Sequence, residues 1–235
     1  MTEGLDQVHG LASVVILAGG ASSRMGTSKA KLLLPTGESL LDYHVRQAAK
    51  LNVPIMIADN GRGFKVSPAL LLNSVNSPVS HIFDYGAITS AENGDNVKDT
   101  GGALVAILSA LYSICNLTKI SASENKHLSW LMVISCDSLI PASALWHQLQ
   151  ASIAQALNKS VICLSDETHL YPLLGLYRLS SEADLRAYID SGERQVMKFI
   201  KHQVQPVALP KSWQHLTNFN TPEDFKQACT ALNDG

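Results

Sequence analysis

Ser13 to Ala18 (SVVILA) is a short, continuous apolar run closed by the pair Gly19-Gly20. A strand with one wet face alternates apolar and polar residues, whereas an uninterrupted run fits a strand buried on both faces, as in a parallel sheet. Behind it, Ser39 to Leu51 (SLLDYHVRQAAKL) repeats apolar residues at helical spacing after a serine able to cap the helix, and Pro54 opens a second apolar run, Ile55 to Ala58. Strand, loop, helix, strand is a βαβ unit, which implies a right-handed crossover and a parallel sheet.

The alternation continues. His81 to Phe83 reads as a short strand, Ala103 to Ile114 as a helix, and Trp130 to Ser135 (WLMVIS) as a second buried strand ending on Cys136 and Asp137. Pro141 is expected at the first position of the next helix. Strands over Val161 to Leu164 and Leu173 to Tyr177 follow, then helices over Glu182 to Ile189 and Val196 to His202. A closing helix, Thr221 to Leu232, is introduced by Thr-Pro-Glu-Asp. The pattern predicts an α/β fold: a single doubly wound, mostly parallel sheet flanked by helices. Asn60 to Pro78 and Tyr85 to Asp99, rich in Gly, Asn, Ser and Asp, read as long loops.

The charge balance narrows the ligand class. A formal net charge of −2 provides no overall basic field, so nucleic acid and membrane lipid are not expected partners, and any anion must meet a local cluster of donors. That suits a small phosphorylated ligand. Cys115, Cys136, Cys163 and Cys229 are far apart and form no CxxC pair, which removes a zinc ribbon and points to free thiols in a reducing compartment. Met1 to Gly10 carries Glu3 and Asp6 and no Lys or Arg, and Leu11 to Ala18 is too short to span a bilayer. A cytoplasmic location is expected.

A strand ending in Gly19-Gly20 can turn sharply and bring main-chain N–H groups close to a ligand with no side chain in the way. Those donors suit phosphate oxygens. Arg24 adds a planar fork for phosphate, and Lys29 or Lys31 a mobile charge that can follow the phosphates during reaction. The order is neither GxxxxGK[ST] nor GxGxxG. Asp137 follows a buried strand, at the carboxyl end where open α/β sheets bind ligands, and is placed to hold magnesium together with phosphate oxygens.

Leu17-Ala18-Gly19-Gly20-Ala21-Ser22-Ser23-Arg24-Met25-Gly26 resembles the signature of the nucleotidyltransferase superfamily. Ser191 to Phe199 (SGERQVMKF) and Asn218 to Asp224 (NFNTPED) look like the C-terminal half of molybdenum cofactor guanylyltransferases, in the same order. Asp99-Thr100-Gly101-Gly102-Ala103-Leu104-Val105-Ala106 is similar to that family's aspartate and GPLAG-type helix start, with Ala103 at the proline and Ala106 at the second glycine. The resemblance covers about residues 14 to 226 and implies one domain, with a nucleotide-binding half over about 11–120 and a metal and acceptor half over about 128–235.

The activity so implied is transfer of GMP from GTP to the phosphate of molybdopterin, with magnesium as cofactor and release of pyrophosphate. Other molybdenum cofactor biosynthesis proteins or acceptor molybdoenzymes are the implied protein partners. Leu17, Ala18, Gly19, Gly20 and Gly102 would contact the nucleotide, and Asp99 would help to select guanine. Asp137 would bind magnesium, Asn218 and Asn220 would lie near metal and acceptor, and Arg194 would face the pterin phosphate. Arg24 remains a phosphate contact, and the phosphate lysine stays open between Lys29 and Lys31, neither of which has the family's spacing from Arg24. Alternative readings are the same fold acting on CTP with molybdopterin or on a nucleoside triphosphate with a sugar phosphate. The altered GPLAG segment would also suit a non-catalytic maturation factor that binds molybdopterin.

Overall fold

The computed structural model describes residues 10–20, 25–73, 76–86, 101–117 and 128–233. Strands β1 (Gly10–Leu17), β2 (Ile55–Ala58), β3 (Val79–Ile82), β4 (Ser129–Ser135), β5 (Val161–Ser165), β6 (Leu170–Arg178) and β7 (Val204–Ala208) form one seven-stranded sheet in the order β3-β2-β1-β4-β6-β5-β7. All pairings are parallel except the two that β6 makes, with β4 and with β5. The sheet is therefore mixed and mostly parallel, flanked by helices on both faces.

Those helices are α1 (Leu40–Ala49), α2 (Pro68–Asn73), α3 (Ala103–Leu117), α4 (Ala142–Gln150), α5 (Glu182–Asp190), α6 (Val196–Ile200) and α7 (Pro222–Asn233). Successive strand residues feed opposite faces, as the pleat requires. Val14 and Ile16 of β1, with Trp130, Met132 and Ile134 of β4, pack against Leu40, Leu41, Tyr43 and Val45 of α1 and Leu145 and Leu149 of α4. Val15, Leu131 and Val133 meet Leu104, Ile107, Leu108 and Leu111 of α3 and Leu185 of α5 on the other face. Trp130 to Ile134 are fully buried, which explains why that run shows no alternation. Each such aliphatic side chain contributes about 1.5–3 kcal/mol of transfer free energy.

Expected element boundaries hold within a few residues, with three physical differences. Pro141 stands at the N-cap of α4 with extended backbone (φ −61°, ψ 136°), not at its first helical position. The stretch read as a loop after Asn60 contains α2. A strand not foreseen, β7, completes the sheet beside β5; its Pro206 is tolerated because β7 pairs on one side only. The capping of α1 is as expected, since the Ser39 hydroxyl accepts from the Asp42 N–H at 3.1 Å.

The four cysteines are free thiols. Among the described residues no helix is long and apolar enough to cross a membrane.

Chain order decides where a ligand can sit. From β1 the chain moves outward to β2 and β3, then returns to place β4 on the other side of β1. Strand order thus reverses between β1 and β4, and it is at the carboxyl ends of these two strands that a crevice opens.

Candidate active site

A cleft of about 440 Å3 occupies that crevice. Leu17, Ala18, Gly19 and Gly20 line it from the end of β1, Ala58 and Asn60 from β2, Asp84 from β3, and Ser135, Cys136 and Asp137 from β4. Gly102, Ala103 and Ala106 bring in the N-terminal end of α3, and Met25, Lys29, Leu173 and Asn220 complete the lining. The volume is in the range for a small-molecule site.

Backbone demands explain several of these identities. Gly101 and Gly102 both have left-handed φ, of 52° and 75°, and a Cβ on Gly101 would lie 2.1 Å from Val105 Cγ2. Only glycine lets the chain enter α3 so tightly. The amide end of that fifteen-residue helix then faces the cleft, where its N–H groups and dipole favour an anion.

On the opposite wall, Lys29 donates from Nζ to Asn220 Oδ1 at 3.0 Å and lies 3.8 Å from Asp137 Oδ2. Its ammonium also sits 5.6 Å from the centre of the Phe219 ring. Asn220 is fixed by the start of α7. Thr221 Oγ1 accepts from the Asp224 N–H at 3.2 Å, while Asp224 Oδ2 accepts from the N–H groups of Asn220 and Thr221 at 3.1 and 3.0 Å. This is the physics of a capping box, with Pro222 at the position where a missing N–H does no harm. Those donors hold the Asp224 carboxyl below its usual range, the Asn220 N–H contributing most. Asn218, in left-handed backbone (φ 55°), accepts from Asn220 Nδ2 through its own carbonyl at 3.1 Å, so the Asn220 amide has its oxygen left for Lys29. The Phe219 N–H donates to Asp137 O at 3.2 Å, tying this turn to the β4 loop.

Asp137 is held in turn by the Ser135 hydroxyl, which donates to its Oδ1. Its neighbour Cys136 has a thiol pushed up to about 12, chiefly by burial and then by the Asp137 charge. A thiol so protonated is not a nucleophile. Among the described residues no group of three or more His, Cys, Asp or Glu could hold a metal ion. A cation beside Asp137 could take that carboxylate together with water or phosphate oxygens, a donor set that magnesium accepts.

Of the other expected site residues, Lys31, Arg194 and Asn218 do not line the cleft. Lys31 is exposed and lies 5.5 Å from the Phe64 ring centre, outside the cleft lining. Arg194 donates from Nη1 to the carbonyls of Ile189 and Glu193 at 2.6 and 2.8 Å, at the end of α5. Asn218 lies behind Asn220 and lines a separate small polar hollow with Gln214, His215 and Asp224. Arg24 and Asp99 lie outside the described residues. Sequence reading passed over Asp84 and Asn60, which line the cleft; the available signal was position, since each follows the carboxyl end of a parallel strand as Asp137 does.

Comparison with known proteins agrees with this geometry. A model of the MobA-like NTP transferase domain matches residues 14–207. The chain is 24% identical over 219 residues to a molybdenum cofactor guanylyltransferase of Photobacterium profundum, covering 92% of this chain and 94% of the relative. It is 25% identical over 221 residues to one of Histophilus somni, with coverage of 92% and 94%. The crystal structure of molybdopterin-guanine dinucleotide biosynthesis protein A from Archaeoglobus fulgidus has the same fold, with a TM-score of 0.63 at 18% identity over 95% of this chain and 100% of that one. The family match, which spans the end of β1, Lys29 and the β4 carboxylate Asp137, places the chain in the MobA-like NTP transferase family, as a nucleotidyltransferase similar to the molybdenum cofactor guanylyltransferases.

Proposed function

We propose that the protein transfers GMP from GTP to the terminal phosphate of molybdopterin and releases pyrophosphate. The observation that carries this reading is the convergence of Gly19-Gly20, Lys29, Asp137 and Asn220 on one cleft, although 191 residues separate Lys29 from Asn220. The relatives' names, which speak of guanylyl transfer to the molybdenum cofactor, support the choice of substrate pair.

Gly19 and Gly20, with Arg24, receive the triphosphate. Lys29 leaves Asn220 for the phosphates and balances the charge that grows on the leaving pyrophosphate. Magnesium, bound at Asp137 with phosphate oxygens completing its shell, would lower the charge on the α-phosphate. Asp137 and Asn220 orient the acceptor side, where Leu173 forms the facing wall. An acceptor phosphate oxygen forms its bond to the α-phosphorus as the bond from that phosphorus to the pyrophosphate oxygen breaks. No covalent enzyme intermediate is needed, in keeping with the protonated Cys136 thiol.

Base choice falls to the other end of the cleft. Asp84 is only 6% exposed and lines the cleft. A carboxylate there can accept from guanine N1–H and its exocyclic amine, a donor pair that adenine and cytosine do not present in that arrangement. Asp99 remains a second candidate for the same contact.

The experiment supplies GTP, CTP, ATP and UTP in turn with magnesium and molybdopterin, and measures pyrophosphate release and labelled nucleotide on the pterin. Turnover with GTP is expected. Preference for CTP would replace the nucleotide in this reading, and pterin binding without pyrophosphate from any nucleotide would favour a non-catalytic maturation factor.

A further inference from the structure

The β2 loop contains an arginine whose contact is with the glycine loop's backbone. Arg62 donates from Nη1 to Gly20 O at 3.0 Å, yet does not itself line the cleft. A carbonyl turned toward a triphosphate would repel it, so the direction of this carbonyl decides how well the loop's N–H groups serve as phosphate donors.

Arg62 is exposed, but the loop that carries it is built with care. Asp59, 2% exposed, accepts through Oδ2 from the Phe64 N–H at 2.9 Å and from His81 Nδ1–H at 3.1 Å. Between these anchors Asn60, Gly61 and Gly63 all take left-handed backbone, with φ of 56°, 67° and 64°. The Arg62 N–H returns to Asp59 O at 3.2 Å. The two loops also touch, since a Cβ on Gly19 would lie 3.2 Å from Asn60 Cβ. A buried carboxylate, a histidine and left-handed backbone at a non-glycine position are an elaborate arrangement for a surface turn, and they end in the contact with Gly20.

We propose that Arg62 is a positioning residue for the phosphate loop: it holds the Gly20 carbonyl off the cleft so that the loop presents its donors to the triphosphate, and Asp59 with His81 fixes the loop from which it reaches. This rests on reading Gly19-Gly20 as a triphosphate site and is independent of the base or acceptor.

The test compares magnesium-dependent binding of the preferred nucleoside triphosphate and of its monophosphate by calorimetry. Arg62→Met is expected to weaken the triphosphate about tenfold, as for loss of one charge-assisted hydrogen bond, with the monophosphate and the melting temperature of the free protein unchanged. Arg62→Lys, which keeps a charged donor of nearly the same reach, recovers most of the loss. Asp59→Ala reproduces the Arg62→Met effect and does not add to it, because both act through one loop. Triphosphate affinity of Arg62→Met within twofold of the native protein overturns the proposal, as does an equal loss for the monophosphate. Failure of the native protein to bind any triphosphate overturns the reading of the glycine loop as well, so the two failures are distinguishable.

Discussion

Lys29 Nζ lies 3.0 Å from Asn220 Oδ1 and 3.8 Å from Asp137 Oδ2, so a lysine from the turn after β1 joins the start of α7 to the end of β4. Lys31, at the other end of the same short turn Lys29–Lys31, lies over Phe64 instead. The two lysines therefore differ sharply in consequence. Lys29→Ala is expected to lower kcat about 100- to 1000-fold, the scale for loss of one preorganised transition-state contact, while Lys31→Ala stays within about threefold. Pyrophosphate release measured for both variants checks the ranking, and equal losses would refute it.

Asp137 is the cleft carboxylate nearest Lys29, and its side chain is 29% exposed with the Ser135 hydroxyl as its donor. Asp137→Asn keeps the shape and removes the charge on which a cation depends. Turnover should fall below detection at any magnesium concentration, while the melting temperature of the free protein moves by no more than about 2 °C, as for a change of under about 1 kcal/mol. Normal magnesium-dependent turnover in this variant would remove Asp137 from the metal site.

Asp84 offers a test of base choice. If its carboxylate pairs with guanine, Asp84→Asn gives up one acceptor and presents a donor in its place, leaving N1–H or the amine unpaired in the cleft. GTP affinity should fall about tenfold to 100-fold against a small change for CTP. An unchanged GTP to CTP ratio would pass the selecting role to another residue.

Much of the site's frame was legible because unbroken apolar runs mark strands buried on both faces: SVVILA, IMIA and WLMVIS fall within or at β1, β2 and β4. Direction is another matter. Both faces of β6 are covered near its centre, so hydrophobicity alone gives no sense of its orientation against β4. Connection length does: only Asp166, Glu167, Thr168 and His169 join β5 to β6, too few for the crossover that a parallel pair needs. Strand β7 was missed because Gln205 and Pro206 at its centre break the apolar run on an edge strand. Lys29 and Lys31 could not be separated because both occupy one turn, and only the packing of Asn220 and Phe64 around it sorts them.

His44 gives a prediction for stability. It is wholly buried and its ring nitrogens lack partners of ordinary hydrogen-bond geometry. Burial pushes its pKa down from 6.5 to about 4, outweighing the nearby Ser138 backbone, which favours the charged ring. Between those values the unfolded chain takes up a proton that the folded one refuses, so this stability is complete above pH 6.5 and is lost as pH falls toward 4. The loss approaches about 3 kcal/mol at the lower end. Urea unfolding at pH 7 and pH 4.5 should show a smaller fall for His44→Leu than for the native protein; parallel falls would show that the histidine contributes nothing.

Gly175 joins sheet geometry to the cleft wall proposed to meet the acceptor. It pairs with Val133 of β4 and Cys163 of β5, at the point where the β5–β6 register shifts between Cys163 and Leu164. A Cβ there would lie 2.6 Å from Ile162 O and 2.9 Å from Cys163 Cβ. Neither is the loose end of a flexible side chain, so the strands themselves must part. Gly175→Ala is therefore expected to destabilise by about 2–3 kcal/mol, the overpacking range, read as a lower urea midpoint. The displacement also reaches function: Leu173, which lines the cleft, stands two residues earlier on the same strand, and Leu174 pairs with Ile134 just ahead of Ser135 and Asp137. KM for the acceptor should rise, while nucleotide affinity, proposed to be set on the β1 and β3 side, changes little. A variant as stable as the native protein, with an unchanged acceptor KM, would mean that the β5–β6 irregularity absorbs a methyl group without moving the wall of the cleft.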